Sequence, residues 1–375
     1  MLTAPATPSI DDRPRSRRAP AAALGLLAVL AAGCATAPLK GEEVIWPPPP
    51  DVGRIKYVQT LQQESDLGSG FWQDLLRSLS PARTAEVVFN PTGLALSPDE
   101  KRLYVVSGTR GSVLEFDFDK RRTRLLATAE GARPVRPFGI AADGEGLLYV
   151  TDSASAAIWV YDANGEPVRK IQGPKVERPT GVAVDRKRQL LFVVEGGAKD
   201  SGHHAVEVFS LKGEHVRTIG GRGAAPGLLY FPVGVAVDSA DGTIWVTDAL
   251  NFRVQHFDAE GAVLGTFGQI GDGVGSFAKP KGLALDAFGN VHVVDGEHAG
   301  VQVFNQKGQL LLAYGGKLSR LEFFSLPGPI AIDSKNRIFI ADYAAGKVNV
   351  YQLINTTKDD STAPPAPATP PAPQP

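Results

Sequence analysis

The sequence predicts an all-β fold, a six-bladed β-propeller whose ring is closed by a strand lying ahead of the first blade. Three observations predict it. A unit opening in proline recurs six times, at Pro91, Pro137, Pro179, Pro232, Pro280 and Pro327, at intervals of 42–53 residues, near the roughly 40–50 residues of a propeller blade. Each unit reads as four short strands, with period-two runs separated by glycine turns. The sixth unit lacks its last strand, and a spare strand stands at residues 54–61.

The first segment is an address. Arg13, Arg15, Arg17 and Arg18 precede an apolar run from Ala19 to Ala32. That run is shorter than the roughly 20 residues of a membrane span, and it fits the apolar core of a signal peptide over residues 1–33. It ends in Leu30-Ala31-Ala32-Gly33-Cys34, which resembles the lipobox of bacterial lipoproteins. The resemblance implies lipidation of Cys34 and a membrane partner reached through the lipid. Ala35, where an aspartate would retain the chain at the inner membrane, implies an outer-membrane lipoprotein of unassigned leaflet. The alternative is an ordinary signal peptide with an incidental cysteine.

Residues 34–88 read as a lipidated linker holding the closing strand and a short helix at about 70–79, whose apolar residues in Phe71-Trp72-Gln73-Asp74-Leu75-Leu76 recur at helical spacing. That helix either packs on the propeller or meets a partner or membrane. Residues 89–354 hold the six blades. In each, an apolar run such as Pro179-Thr180-Gly181-Val182-Ala183-Val184 reads as an innermost strand buried on both sides. The second strand ends in an acid, as in Ile244-Trp245-Val246-Thr247-Asp248. An alternating third strand and a glycine turn lead to the fourth. Residues 355–375 are rich in Pro, Ala and Thr and read as a disordered or extended tail.

Composition excludes several functions. The 375 residues are 43% hydrophobic and carry a net charge of -1. That gives no basis for a nucleic-acid partner, which a basic surface would announce. Cys34 is the only cysteine and Met1 the only methionine, so an internal disulfide, a haem-attachment pair and a cysteine-rich metal site are all excluded.

Pro-x-Gly-apolar-Ala-Val-Asp, Trp-Val-Thr-Asp, Asn251-Phe252-Arg253-Val254-Gln255-His256-Phe257-Asp258 and Phe267-Gly268 together resemble the NHL repeat, over roughly residues 89–354. Val44-Ile45-Trp46 with its four prolines, the spare strand and the Phe71-Trp72 segment are similar to a group of bacterial NHL-repeat lipoproteins. The resemblance implies a six-bladed propeller. Ser107 in blade one and Glu195 in blade three depart from its acid position.

A residue found in most blades builds blades, and a residue found in one blade is a candidate for function. By that test Asp152, Asp248, Asp295, Asp342 and Glu195 are expected to accept backbone N–H groups; a cation ring is the competing reading. The glycine-rich segments 221–227 and 271–277 read as linkers between blades, because neither opens a helix or carries a P-loop lysine. The residues between Pro and Gly, which are Thr92, Phe138, Thr180, Val233, Lys281 and Gly328, should ring the channel mouth. Phe138 and Lys281 would offer it a stacking surface and a charge. Blade three's long loop adds Glu195, Lys199, His203 and His204 to the same face, and blade five adds Asp295 and His298. These residues are the candidate binding face. Glu195, His203 and His298 are the one set that suggests a divalent metal; no cofactor is otherwise expected.

The reading that results is a non-catalytic binding or scaffold lipoprotein of the cell envelope with a protein or glycan partner. The alternative is a metal-dependent hydrolase or lyase of the lactonase or amidating-lyase kind. Such enzymes need ligands on the channel axis, and the six ring positions contain no histidine or carboxylate.

Overall fold

A computed structural model describes residues 43–68, 86–127, 131, 133–197, 202–316 and 324–357. All of these residues belong to one compact unit. Cys34, the helix expected at about 70–79, Lys199 and the tail beyond 357 therefore fall outside the description.

Six antiparallel sheets follow one another along the chain. Five have four strands and the sixth has five. The inner strands are Pro91–Leu96, Pro137–Ala142, Pro179–Asp185, Pro232–Val237, Pro280–Leu285 and Pro327–Ile332. Each lies against the next, and the sixth lies against the first, which closes the circle. Second strands such as Leu148–Asp152, Ile244–Asp248 and Val291–Asp295 are buried at every residue. One sheet cannot cover its own two faces, so each needs both neighbours. The core follows from this. It consists of six apolar clusters, one at each seam between blades, among the described residues. Tyr104 and Val106 of blade one, for example, pack with Ile140 and Tyr161 of blade two. Each such side chain contributes roughly 1.5–3 kcal/mol by leaving water.

The spare strand does what its position suggested. Ile55–Leu61 pairs antiparallel with Lys347–Leu353, the third strand of blade six. The pairing slips between Tyr57 and Gln59. That bulge shifts the strand's alternation by one residue, so Ile55 enters the seam between blades five and six while Leu61 enters the seam between six and one. A further strand, Ile45–Trp46, pairs outside it. Two residues beside four prolines carry no period-two signal that would announce a strand. On the opposite end of the ring, Glu100 of blade one accepts hydrogen bonds from Ser334 N and Oγ of blade six at 2.8 and 2.7 Å.

Candidate functional site

The recurring acids settle into structure. Asp152 accepts from Val135 N and Arg136 N, both at 2.9 Å. Asp295 accepts from Ala278 N at 2.8 Å and Lys279 N at 3.1 Å, and Asp342 from Ser325 N at 2.6 Å and Leu326 N at 3.0 Å. Asp248 takes Tyr230 N at 2.6 Å. Each carboxylate is fully buried and seats the chain just ahead of its own blade's proline. The glycine-rich linkers are held by amides: Gly227 N donates to Gln255 Oε1 at 2.8 Å and Gly275 N to Gln302 Oε1 at 2.6 Å. In blade one Ser107 Oγ stands in the acid's place and accepts from Arg110 N at 3.3 Å.

Glu195 keeps the role with one methylene more. Its Oε2 takes both Glu177 N and Arg178 N, at 3.1 and 2.7 Å, while Oε1 is buried with no hydrogen-bond partner among the described residues. Burial pushes the carboxyl up to about 7, against the pull of those two bonds and helped by nearby Glu207 and Glu177. A carboxyl whose folded value lies above its unfolded one of 4.5 holds a proton that the unfolded chain has lost. Stability therefore falls as pH rises from about 4.5 to 7, with the penalty complete above 7. We expect Glu195→Gln to raise the melting temperature by a few degrees at pH 8, on the order of 2–3 kcal/mol, and to match the parent near pH 4.5. Parallel melting profiles for the two proteins across that range would rule this out.

The other candidates separate. His204 was expected on the loop face but is fully buried: its Nδ1 accepts from Phe231 N at 3.1 Å, tying blade three to blade four. His203 Nε2 lies 3.0 Å from Glu207 Oε1, on a carboxylate that also takes His215 Nε2 at 2.5 Å and Thr218 Oγ1 at 2.7 Å. His298 Nδ1 lies 3.4 Å from Asp295 Oδ2 and faces a separate cavity of about 280 Å3 beside Gln302 and Tyr314. Glu195, His203 and His298 thus belong to three different contacts. Among the described residues no three His, Cys, Asp or Glu side chains are placed to share a metal. Glu195, His204 and Asp295 leave the exposed face because buried backbone N–H groups need acceptors more than the surface needs charge.

The channel mouth is a different environment. A cavity of about 300 Å3 opens among the inner strands, lined at the expected ring positions by Thr92, Phe138, Val233, Lys281 and Gly328. Thr180 is absent from the lining, because it is buried with its hydroxyl donating to Val194 O at 3.2 Å. Thr92 Oγ1 is likewise engaged, donating to Pro137 O of blade two at 3.1 Å. Below them the wall is Leu94, Ile140, Val182, Val235, Leu283 and Ile330. Lys281 is half-buried in this apolar setting, and among the described residues its ammonium has neither a carboxylate nor a hydrogen-bond partner. Burial, then the charge of Lys279, lowers its pKa; Asp295 opposes this.

One feature of the face went unread in the sequence. The residue just before the proline is basic and exposed in three blades: Arg136, Arg178 and Lys279. Aligning the repeats one position further upstream would have revealed it.

The comparisons agree with this architecture. A family model described as the SMP-30/gluconolactonase/LRE-like region matches residues 71–196, and the NHL repeat model matches residues 229–257. Among solved structures, virginiamycin B lyase from Staphylococcus aureus is 15% identical with a TM-score of 0.51, over 70% of this chain and 80% of that one. Hydrazine synthase from Kuenenia stuttgartiensis is 17% identical at 0.53, over 76% and 84%. A chain of a nidogen/laminin complex is 18% identical at 0.51, over 61% and 83%. At these identities the likeness is one of fold, and a fold does not choose among functions.

Proposed function

For this chain, an NHL-repeat β-propeller, we propose the role of a non-catalytic binding lipoprotein of the bacterial cell envelope, held by a lipid on Cys34 and presenting the channel-mouth face to a protein or glycan. One observation carries the reading. Every acid at a blade's second-strand end is turned inward onto backbone N–H groups, and the described residues that line the mouth include no histidine or carboxylate. Acid–base and metal chemistry need such groups facing the substrate. A rigid ring with an uneven, exposed rim suits recognition instead.

The virginiamycin B lyase likeness gives the enzymatic alternative its weight, and one experiment separates the two. The purified full chain is assayed for divalent metal alongside Glu195→Ala and His203→Ala. In parallel, a photocrosslinking residue is placed at Phe138 on the mouth or at exposed Val263 on the outer strand of blade four. A discrete envelope adduct from position 138 and none from 263 is expected. Stoichiometric metal that is lost in either variant would replace the binding role with a hydrolase or lyase.

A further inference from the structure

We propose that the channel itself binds a small amphipathic carboxylate, its apolar body against Leu94, Ile140, Val182 and Leu283 and its anionic end on the Lys281 ammonium. The site opens on the mouth face proposed above as the partner surface, but does not depend on that reading.

The argument starts from an imbalance of charge. A half-buried ammonium normally has a carboxylate or several acceptors beside it, because removing it from water is costly. Lys281 has none among the described residues. The acid whose charge acts on it, Asp295, is already committed to Ala278, Lys279, Glu297 and His298 N–H groups at 2.8–3.1 Å. Exposed Glu297 borders the cavity beside His298 and does not line the channel.

The surroundings add to the same sign. Arg136, Arg178 and Lys279 stand where the chain enters the inner strands of blades two, three and five. The buried acids fix them there by taking their backbone N–H groups. Positive charge around a low-dielectric opening attracts anions and focuses them on it. Lowered basicity at Lys281 is what an unmatched cation in such a place acquires, and an anionic ligand would reverse it.

The shape completes the assignment. About 300 Å3 is at the small end of ligand pockets, room for a ligand of roughly ten non-hydrogen atoms, taking about 30 Å3 for each as for a water molecule. The wall is aliphatic, and a Cβ placed on Gly328 would meet no atom within 4 Å, so the backbone there borders open space. One end of the ligand must be apolar and the other negative. Octanoate fits both requirements.

The test is calorimetric titration of the full chain with octanoate and with octanol, in the parent, Lys281→Met and Lys281→Arg. The parent should bind octanoate at least about tenfold more tightly than octanol, the scale of one charge-assisted hydrogen bond. Lys281→Met should lose that preference yet keep its octanol affinity, and Lys281→Arg should retain the preference. Lys281→Met replaces an ammonium by a thioether of similar length, and the octanol titration reports whether its channel is intact. Equal affinities in the parent, a preference that survives in Lys281→Met, or no heat from either compound at millimolar concentration would each overturn the assignment. The titrations use the purified chain with Phe138 in place and no envelope partner, so their failure and a failed crosslink at position 138 are told apart.

Discussion

Ile55→Ala combined with Leu61→Ala is expected to unfold the propeller, or to bring its denaturation midpoint close to zero. Both side chains are fully buried, one in the seam between blades five and six and the other in the seam between six and one. Truncating a buried aliphatic side chain to alanine typically costs about 2–5 kcal/mol. Two such losses approach the roughly 5–15 kcal/mol by which a whole domain is stable. The effect is large because of what this strand covers. Tyr57 packs edge-on to Tyr351 at 5.8 Å, and Trp46 from the outer strand does so at 6.0 Å. Tyr351 in turn meets Tyr314 of blade five at 5.7 Å. Loosening the strand thus opens two seams, and leaves the closure of the ring to the inner strands of blades six and one and to the Ser334–Glu100 hydrogen bonds. Single variants should lose less than half as much if the two seams act together. Urea denaturation followed by circular dichroism measures this. A double variant that melts in one transition at the parent's midpoint would show that the circle does not depend on the strand.

How much of this was legible in the sequence depends on the kind of residue. Blade number, strand order and the closing strand were legible because hydrophobic alternation and turn residues are local signals repeated six times. The role of the acids was legible for the same reason: Asp152, Asp295 and Asp342 recur, and a recurring polar group in a repeat serves the repeat. His204 was misplaced on the exposed face because a long, polar loop gives residue types but no side-chain direction, whereas Glu195 and Asp295, named both for that face and for the recurring acid role, keep only the latter. The structure turns His204 toward Phe231 N of the next blade, a contact that no repeated position announces. The channel mouth fell between these cases. Phe138 and Lys281 were correctly placed by their repeat position, whereas Thr180 was not, because its hydroxyl found an acceptor within its own blade. The isolation of Lys281 was invisible, since it depends on where every neighbouring carboxylate ends up.

Gly181→Ala should destabilise the ring by about 3 kcal/mol, whereas Gly328→Ala should change stability by less than about 0.5 kcal/mol. In the sequence the glycine of Pro-x-Gly looks like turn punctuation, yet it sits inside the inner strand Pro179–Asp185. A Cβ at Gly181 would lie 2.4 Å from Val233 O of blade four, and the pattern repeats around the axis. Gly93 meets Phe138 O at 2.7 Å, Gly139 meets Thr180 O at 2.6 Å, Gly234 meets Lys281 O at 2.9 Å, and Gly282 meets Gly328 O at 2.5 Å. Each glycine therefore makes room for the next blade's backbone, a requirement of close approach and not of turn geometry. A carbonyl held in a paired strand cannot retreat by the needed amount without moving its own blade, and that blade is itself wedged against the following one. The two variants carry the same chemical change and gain the same small benefit from a less flexible unfolded chain. Their difference thus reports inner-strand packing alone. Thermal melts of the two side by side decide the matter: coincident midpoints would mean that the blades can slide apart at the axis, and that the channel wall is softer than its spacing implies.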